Sequence, residues 1–314
     1  MIHIPTVFYH GRSFNLVTFG LYAAIGSMTG YSIAFFYLYS MGIPVRQYCW
    51  EIVLVLVFSN LIFAKLFSIF SIGRGKYFKN LRYHLNETSF YQQGGVIGFI
   101  IGTLCLYHFL QIPFFLLSDA VCLGGIASMF IGRLGCFNYG CCVGKPTKRK
   151  YGIAYTDPEA KICRDLPGFT GTPLIPVQLI AAFADFLLFS LCCIVIFFYS
   201  YSGLIMIIFF FGVNIKRIAL QTMRWKDSSN RIPYQWVAFA LIITITLIIF
   251  SFRSSGEIIF AYEKSITSFT IGNYFSFLSS ERLIILSLFF VGVLNFSVYG
   301  IHGKKLGTHF NIKQ

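Results

Sequence analysis

The stretch GRLGCFNYGCCVGKPT, residues 132–147, places one arginine, three cysteines and four glycines where a long apolar run gives way to a basic loop. Arg133 carries a planar fork of donors suited to a phosphate at headgroup depth, although an arginine snorkelling from a helix end would look the same. Gly132, Gly135, Gly140 and Gly144 let backbone come close to a ligand or to another backbone, and they permit the positive φ with which helices end. Cys136, Cys141 and Cys142 sit at the same polar turn. Their C-x4-C-C spacing is not a zinc pattern and no histidine is near in sequence, so no metal is expected. A disulfide, a reactive thiolate beside Arg133 and tight packing of the turn all stay open, with a turn-shaping role as the default.

Other polar residues fall at comparable depth. Tyr91, Gln92 and Gln93 directly precede Gly94 and Gly95 at the start of an apolar run, where the free N–H groups of a helix N-terminus would form an anion site. Gln178 and Asp185 are seven residues apart and share one helical face. Arg217, Gln221 and Arg224 recur at i, i+4 and i+7. Two arginines and a glutamine on one face are expensive against lipid, so they should face the bundle interior or a headgroup site. One composite site for an anionic lipid accounts for all of these groups.

The elements that must position them follow from composition. Of 314 residues, 56% are hydrophobic and only 11% charged, too little polar surface for a soluble chain of this length. Apolar runs near 16–38, 50–71, 94–111, 115–135, 177–200, 203–223, 234–252 and 283–301 are each long enough to cross a ~30 Å hydrocarbon core. The expected fold is all-α: a polytopic transmembrane helical bundle of about 7–8 spans, the first a permanent helix and not a signal peptide. Cys105, Cys122, Cys192 and Cys193 lie inside these runs as small packing residues. The net charge of +14 concentrates around 74–82, 145–164, 224–231 and 304–313. With eight spans these groups share one face, which the positive-inside rule makes cytoplasmic. Such a face attracts anionic headgroups, whereas charges confined to membrane loops argue against nucleic acid as a partner.

The ordered segments FGLYAAIGSMTG, SFYQQGGVIG, GRLGCFNYG, IPVQL, FGVNIKRIALQTMR and PYQW resemble the prolipoprotein diacylglyceryl transferase family over roughly residues 16–250. The resemblance implies a multi-pass enzyme of the bacterial cytoplasmic (inner) membrane that needs no cofactor. It would move a diacylglyceryl group from phosphatidylglycerol, or another anionic phospholipid, to the lipobox cysteine thiol of an exported prolipoprotein, releasing glycerol 1-phosphate. By position, Arg133 matches the signature arginine, Gly132, Gly135 and Gly140 its flanking glycines, and Arg217 the arginine that holds the phosphate; Gln178, Arg224 and Gln235 also fall on family positions. Arg133, Arg217, Gln93 and Tyr139 then form the expected catalytic set. Gly94, Gly95, Gly132, Gly135, Asn138, Gly140, Gln178, Gln221, Arg224 and Gln235 are the expected substrate contacts.

The departures from the family pattern bear on mechanism. Asparagine is usual where Cys136 and Tyr139 stand, glutamate at Cys141, histidine at Gln93 and tyrosine at Phe19. Displacement at the glycerol C3 carbon needs a stabilised phosphate and a deprotonated nucleophile. Arg133 and Arg217 would supply the first; for the second, Gln93 cannot act as a base, which leaves Tyr91, Tyr139 or Asp185, or a thiol that needs little help because two arginines stand beside it. The expected domains are a diacylglyceryl-transferase-like membrane domain over 1–252, with the 137–175 loop as a lid, and an extra segment over 253–314 with one further span and a basic tail. The resemblance also implies that the Arg133 face is extracytoplasmic, against the positive-inside count. The alternatives are transfer to a lipid or small-molecule acceptor, and a non-catalytic lipid-binding or flippase-like protein.

Overall fold

The computed structural model describes residues 5–72, 92–198, 202–225 and 269–308, apart from the side chains of 70–72, 92 and 93. In chain order the elements are β1 (Val7–His10), β2 (Phe14–Val17), α1 (Thr18–Ser40), α2 (Val45–Ile72), α3 (Gln92–Leu110), α4 (Phe114–Tyr139), α5 (Lys161–Asp165), α6 (Val177–Phe198), α7 (Leu204–Gln221), α8 (Ile271–Ser280), α9 (Arg282–Gly300) and β3 (Ile301–Gly303). Helices α1, α2, α4, α6, α7 and α9 are long and apolar enough to cross a membrane, and the apolar part of α3, Gly94–Leu110, is slightly shorter. At 1.5 Å per residue, about 20 residues suffice. The chain is thus a polytopic helical membrane protein; the expected span at 234–252 lies outside the described residues.

Inside lipid, apolar side chains gain little by leaving their surroundings, so helices associate where small residues let backbones meet. Helix α1 runs between α4 and α9 on such contacts. A Cβ added at Gly30 would stand 2.7 Å from the carbonyl oxygen of Gly124, and one at Gly20 would overlap the backbone of Gly300. Along α3, a Cβ at Gly94 would collide with Phe63 of α2 and one at Gly102 would come within 2.5 Å of the Ser59 hydroxyl. Phe35, Leu38, Ile52, Leu116, Leu117, Leu123 and Ile126 fill the core between these crossings.

Two features differ from the sequence expectation. The bundle carries an antiparallel sheet of order β1-β2-β3, in which Asn15 pairs with His302. Strands of three or four residues are too short to leave a readable alternation. The sheet ties β1 and β2 to the stretch after α9, so α9 and β3 belong to the same bundle. Helix α4 also continues to Tyr139, which puts Arg133 nearly two turns before its end and not in its last turn.

One end of the bundle gathers the start of α1, the end of α4, the start of α6, the ends of α7 and α9, and the sheet. Over it folds the 140–176 segment, which has its own core of Val143, Ala160, Ile162, Cys163 and Leu174. At the opposite end Phe36 packs against Phe269, Tyr274 and Phe277.

Candidate functional site

The polar turn is built by the way α4 stops. Gly140 takes φ 70°, its N–H reaches the carbonyl of Phe137 at 3.3 Å, and the Cys141 N–H returns to the carbonyl of Cys136 at 3.1 Å. This closure needs a residue that tolerates positive φ, which glycine supplies without strain. Cys142 then adopts φ 58° as well, unusual for a side-chain-bearing residue. Two successive reversals after the helix fold the sequence back on itself. As a result the Sγ atoms of Cys136, Cys141 and Cys142 all lie within 4.8 Å of one another.

Neighbouring elements hold this turn from two sides. Gln178, at the start of α6, donates from Nε2 to the carbonyl of Cys141 at 2.8 Å and to the Tyr155 hydroxyl at 3.3 Å. Tyr155 in turn donates to the carbonyl of Phe137 at 3.0 Å. The stretch after α7 pairs with the stretch after α4: Lys145 N–H donates to Met223 at 2.9 Å, Trp225 N–H donates to Val143 at 3.1 Å, and Gly144 bridges to Arg224. That pairing brings the Arg224 charge to Cys142. Hydrogen bonds from the Cys136 and Cys141 thiols, then the Arg224 and Arg133 charges, hold the Cys142 thiol well below its ordinary range.

Arg133 lies within electrostatic reach of the three thiols and of Asp185. Asp185 of α6 is fully buried, with one oxygen paired to Lys216 of α7. Its other oxygen, Oδ2, has no hydrogen-bond partner among the described residues. Lys216 in turn feels Arg133 and Arg224. Three cations, one carboxylate and three thiols therefore share a volume at the end of the bundle, a charge balance suited to an anion. A Cβ added at Gly132, one turn before Cys136, would meet nothing within 4 Å.

The remaining sequence candidates distribute as follows. Gly94 and Gly95 lie against α2, where an added Cβ at Gly95 would stand 2.8 Å from Asn60, and Gly135 lies against Phe19 and Tyr22 of α1. Tyr139 is buried; its hydroxyl accepts from Arg164 Nη2 at 2.9 Å and its ring meets His302 edge-on at 6.1 Å. The Asn138 amide nitrogen is buried without a hydrogen-bond partner among the described residues. Arg217 and Gln221 are half-buried on α7. Tyr91, Gln235 and the side chain of Gln93 lie outside the described residues. Sequence reasoning passed over Lys216, Tyr155 and Arg164. Lys216 had a signal: a carboxylate inside an apolar run needs a cation, and Lys216 begins the polar stretch of α7.

The cap is fastened, not loose. Thr6, just before β1, donates its hydroxyl to Asp157 Oδ2 at 2.6 Å, and Arg164 Nη1 donates to the carbonyl of Leu306, after β3, at 3.2 Å. Both chain ends thereby hold the cap over the site.

Fold and charge together define a multi-pass helical membrane protein whose Arg133, Lys216 and Arg224 gather at one end of the bundle. Against known proteins, a sequence model of the prolipoprotein diacylglyceryl transferase family matches residues 5–253, and the chain belongs to that family. It is also similar to a Clostridium tetani (strain Massachusetts / E88) protein described as a phosphatidylglycerol–prolipoprotein diacylglyceryl transferase, at 29% identity over 127 residues, 39% of this chain and 46% of that protein. The chain thus spans about half the length of that curated relative in the match.

Proposed function

We propose that this protein transfers the diacylglyceryl group of phosphatidylglycerol to the cysteine thiol of a prolipoprotein at the bacterial inner membrane. The observation that supports it best is Arg133, the family's signature arginine, set among three thiols, Asp185, Lys216 and Arg224 at one end of the bundle. An ester phosphate placed there leaves as glycerol 1-phosphate while fixed guanidiniums neutralise its developing charge; Arg133, Arg217 and Arg224 hold it. Gln178 and the half-buried Gln221 flank the path, and the Oδ2 oxygen of Asp185 receives the proton that the attacking thiol gives up. The Arg133 face is extracytoplasmic in this reading, its basic character serving the lipid donor.

Complementation tests the acceptor. In a host depleted of its own diacylglyceryl transferase, expression of this chain restores diacylglyceryl modification of a reporter lipoprotein. An unmodified reporter despite normal membrane insertion, with phosphatidylglycerol still consumed by purified protein, assigns a lipid or small-molecule acceptor instead, a reading that the departures at Gln93, Cys136 and Cys141 favour.

A further inference from the structure

We infer that Cys136, Cys141 and Cys142 form a tris-thiolate zinc site whose open fourth position takes the acceptor thiol and presents it as a thiolate. The spacing of these cysteines in the chain matches no zinc pattern, yet the two left-handed residues after α4, Gly140 and Cys142, bring their sulfurs within 4.8 Å of one another. Sulfurs about 2.3 Å from a tetrahedral zinc are ~3.8 Å apart, so small side-chain rotations suffice to close the set around an ion. Three thiolates around a divalent cation leave one net negative charge. Arg133, within electrostatic reach of all three sulfurs, and Arg224, within reach of that of Cys142, compensate it.

The site is open where a fourth ligand must enter. Cys142 is exposed and Cys136 and Cys141 half-buried, whereas structural zinc sites are closed by a fourth protein ligand and catalytic ones keep a position free. The empty space over Gly132 lies on the same face of α4 as Cys136, one turn away. Among the described residues no histidine joins the cluster. Among the described residues the fourth position is thus left to a small molecule or to substrate.

This inference rests on the transferase reading and supplies its weakest step. A carboxylate is a poor base for a thiol of ordinary pKa about 8.5, whereas a thiol bound to zinc is deprotonated outright. The acceptor R–SH gives its proton to Asp185 or water on binding zinc. The sulfur lone pair then forms the S–C bond at the glycerol C3 carbon as the C–O bond to phosphate breaks. That electron pair leaves on glycerol 1-phosphate beside Arg133, and the neutral thioether, a weak ligand, departs from zinc.

Purified full-length protein, incubated with zinc alone and desalted, should retain stoichiometric metal by elemental analysis. Cys136→Ser, Cys141→Ser and Cys142→Ser should each abolish retention, while Cys105→Ser and Cys163→Ser keep it. Zinc should also shield the three cysteines of the unmutated protein from maleimide, mapped by mass spectrometry, a readout that needs no variant to fold. Gly132→Leu, filling the space over the fourth position, should retain zinc and lose at least tenfold in transfer. Wild-type protein that holds no zinc, or the same zinc content in all three serine variants, overturns the site; full transfer in the presence of a strong chelator overturns its catalytic role. Zinc retention and shielding without any thiol transfer leaves the metal site standing and removes the transferase reading.

Discussion

Two buried aspartates, one at each end of the bundle, show how differently the same side chain is used. Asp119 of α4 and Asp185 of α6 are both fully buried. Asp119 spends both oxygens on the backbone: Oδ2 accepts from the N–H of Gly203 at 2.6 Å and Oδ1 from the N–H of Met206 at 2.8 Å. It caps the start of α7, where free N–H groups and the helix dipole favour an anion, and nothing remains for a ligand. Asp185 pairs one oxygen with Lys216 and leaves the other without a hydrogen-bond partner among the described residues, within electrostatic reach of Arg133. Both oxygens of Asp119 are engaged by the fold, whereas one oxygen of Asp185 is left able to take a proton.

The sharpest way to break this comparison is Asp185→Asn. It strands the Lys216 charge in the bundle, at a cost of about 3–5 kcal/mol, which chemical denaturation in detergent should register. Adding Lys216→Met should recover most of that stability, because removing both charges also removes the stranded one, but it should not restore transfer. Recovery of full activity in the double variant would make the pair purely structural.

Arg133→Lys comes next in expected size. The charge stays and the planar fork goes, so turnover should fall by about 10²–10³-fold, the usual cost of one donor to a developing anion, with stability nearly unchanged. Asp119→Asn should be the smallest effect and the opposite in kind: about 1–3 kcal/mol of stability lost through a weakened cap, and no change in turnover per folded molecule. Loss of turnover there would place function at both ends.

The contrast also explains what could be read from the sequence. The long helices were legible because apolar runs of 20 or so residues admit few other structures in lipid. Arg133 was legible as a costly charge at a membrane edge. The three-stranded sheet was not, since its strands are no longer than a turn. The thiol cluster was hidden for a related reason: spacing along a chain predicts proximity only while the backbone stays regular, and residues 140 and 142 both leave the right-handed region. Lys216 was masked by its neighbour, because the i, i+4, i+7 stripe drew attention to Arg217, while the partner of Asp185 came from the adjacent position. The family match ends at residue 253, yet α9 packs on α1 and β3 completes the sheet under the cap.

The central claim is that the Arg133 end of the bundle performs diacylglyceryl transfer. Its most direct test is mass spectrometry of purified protein mixed with phosphatidylglycerol vesicles and a peptide bearing a single lipobox cysteine. The account predicts a peptide heavier by one diacylglyceryl group, in a thioether resistant to hydroxylamine, with glycerol 1-phosphate released in equal amount, and both products strongly reduced in Arg133→Lys. An unmodified peptide and no glycerol 1-phosphate, from protein shown to be folded, would contradict it.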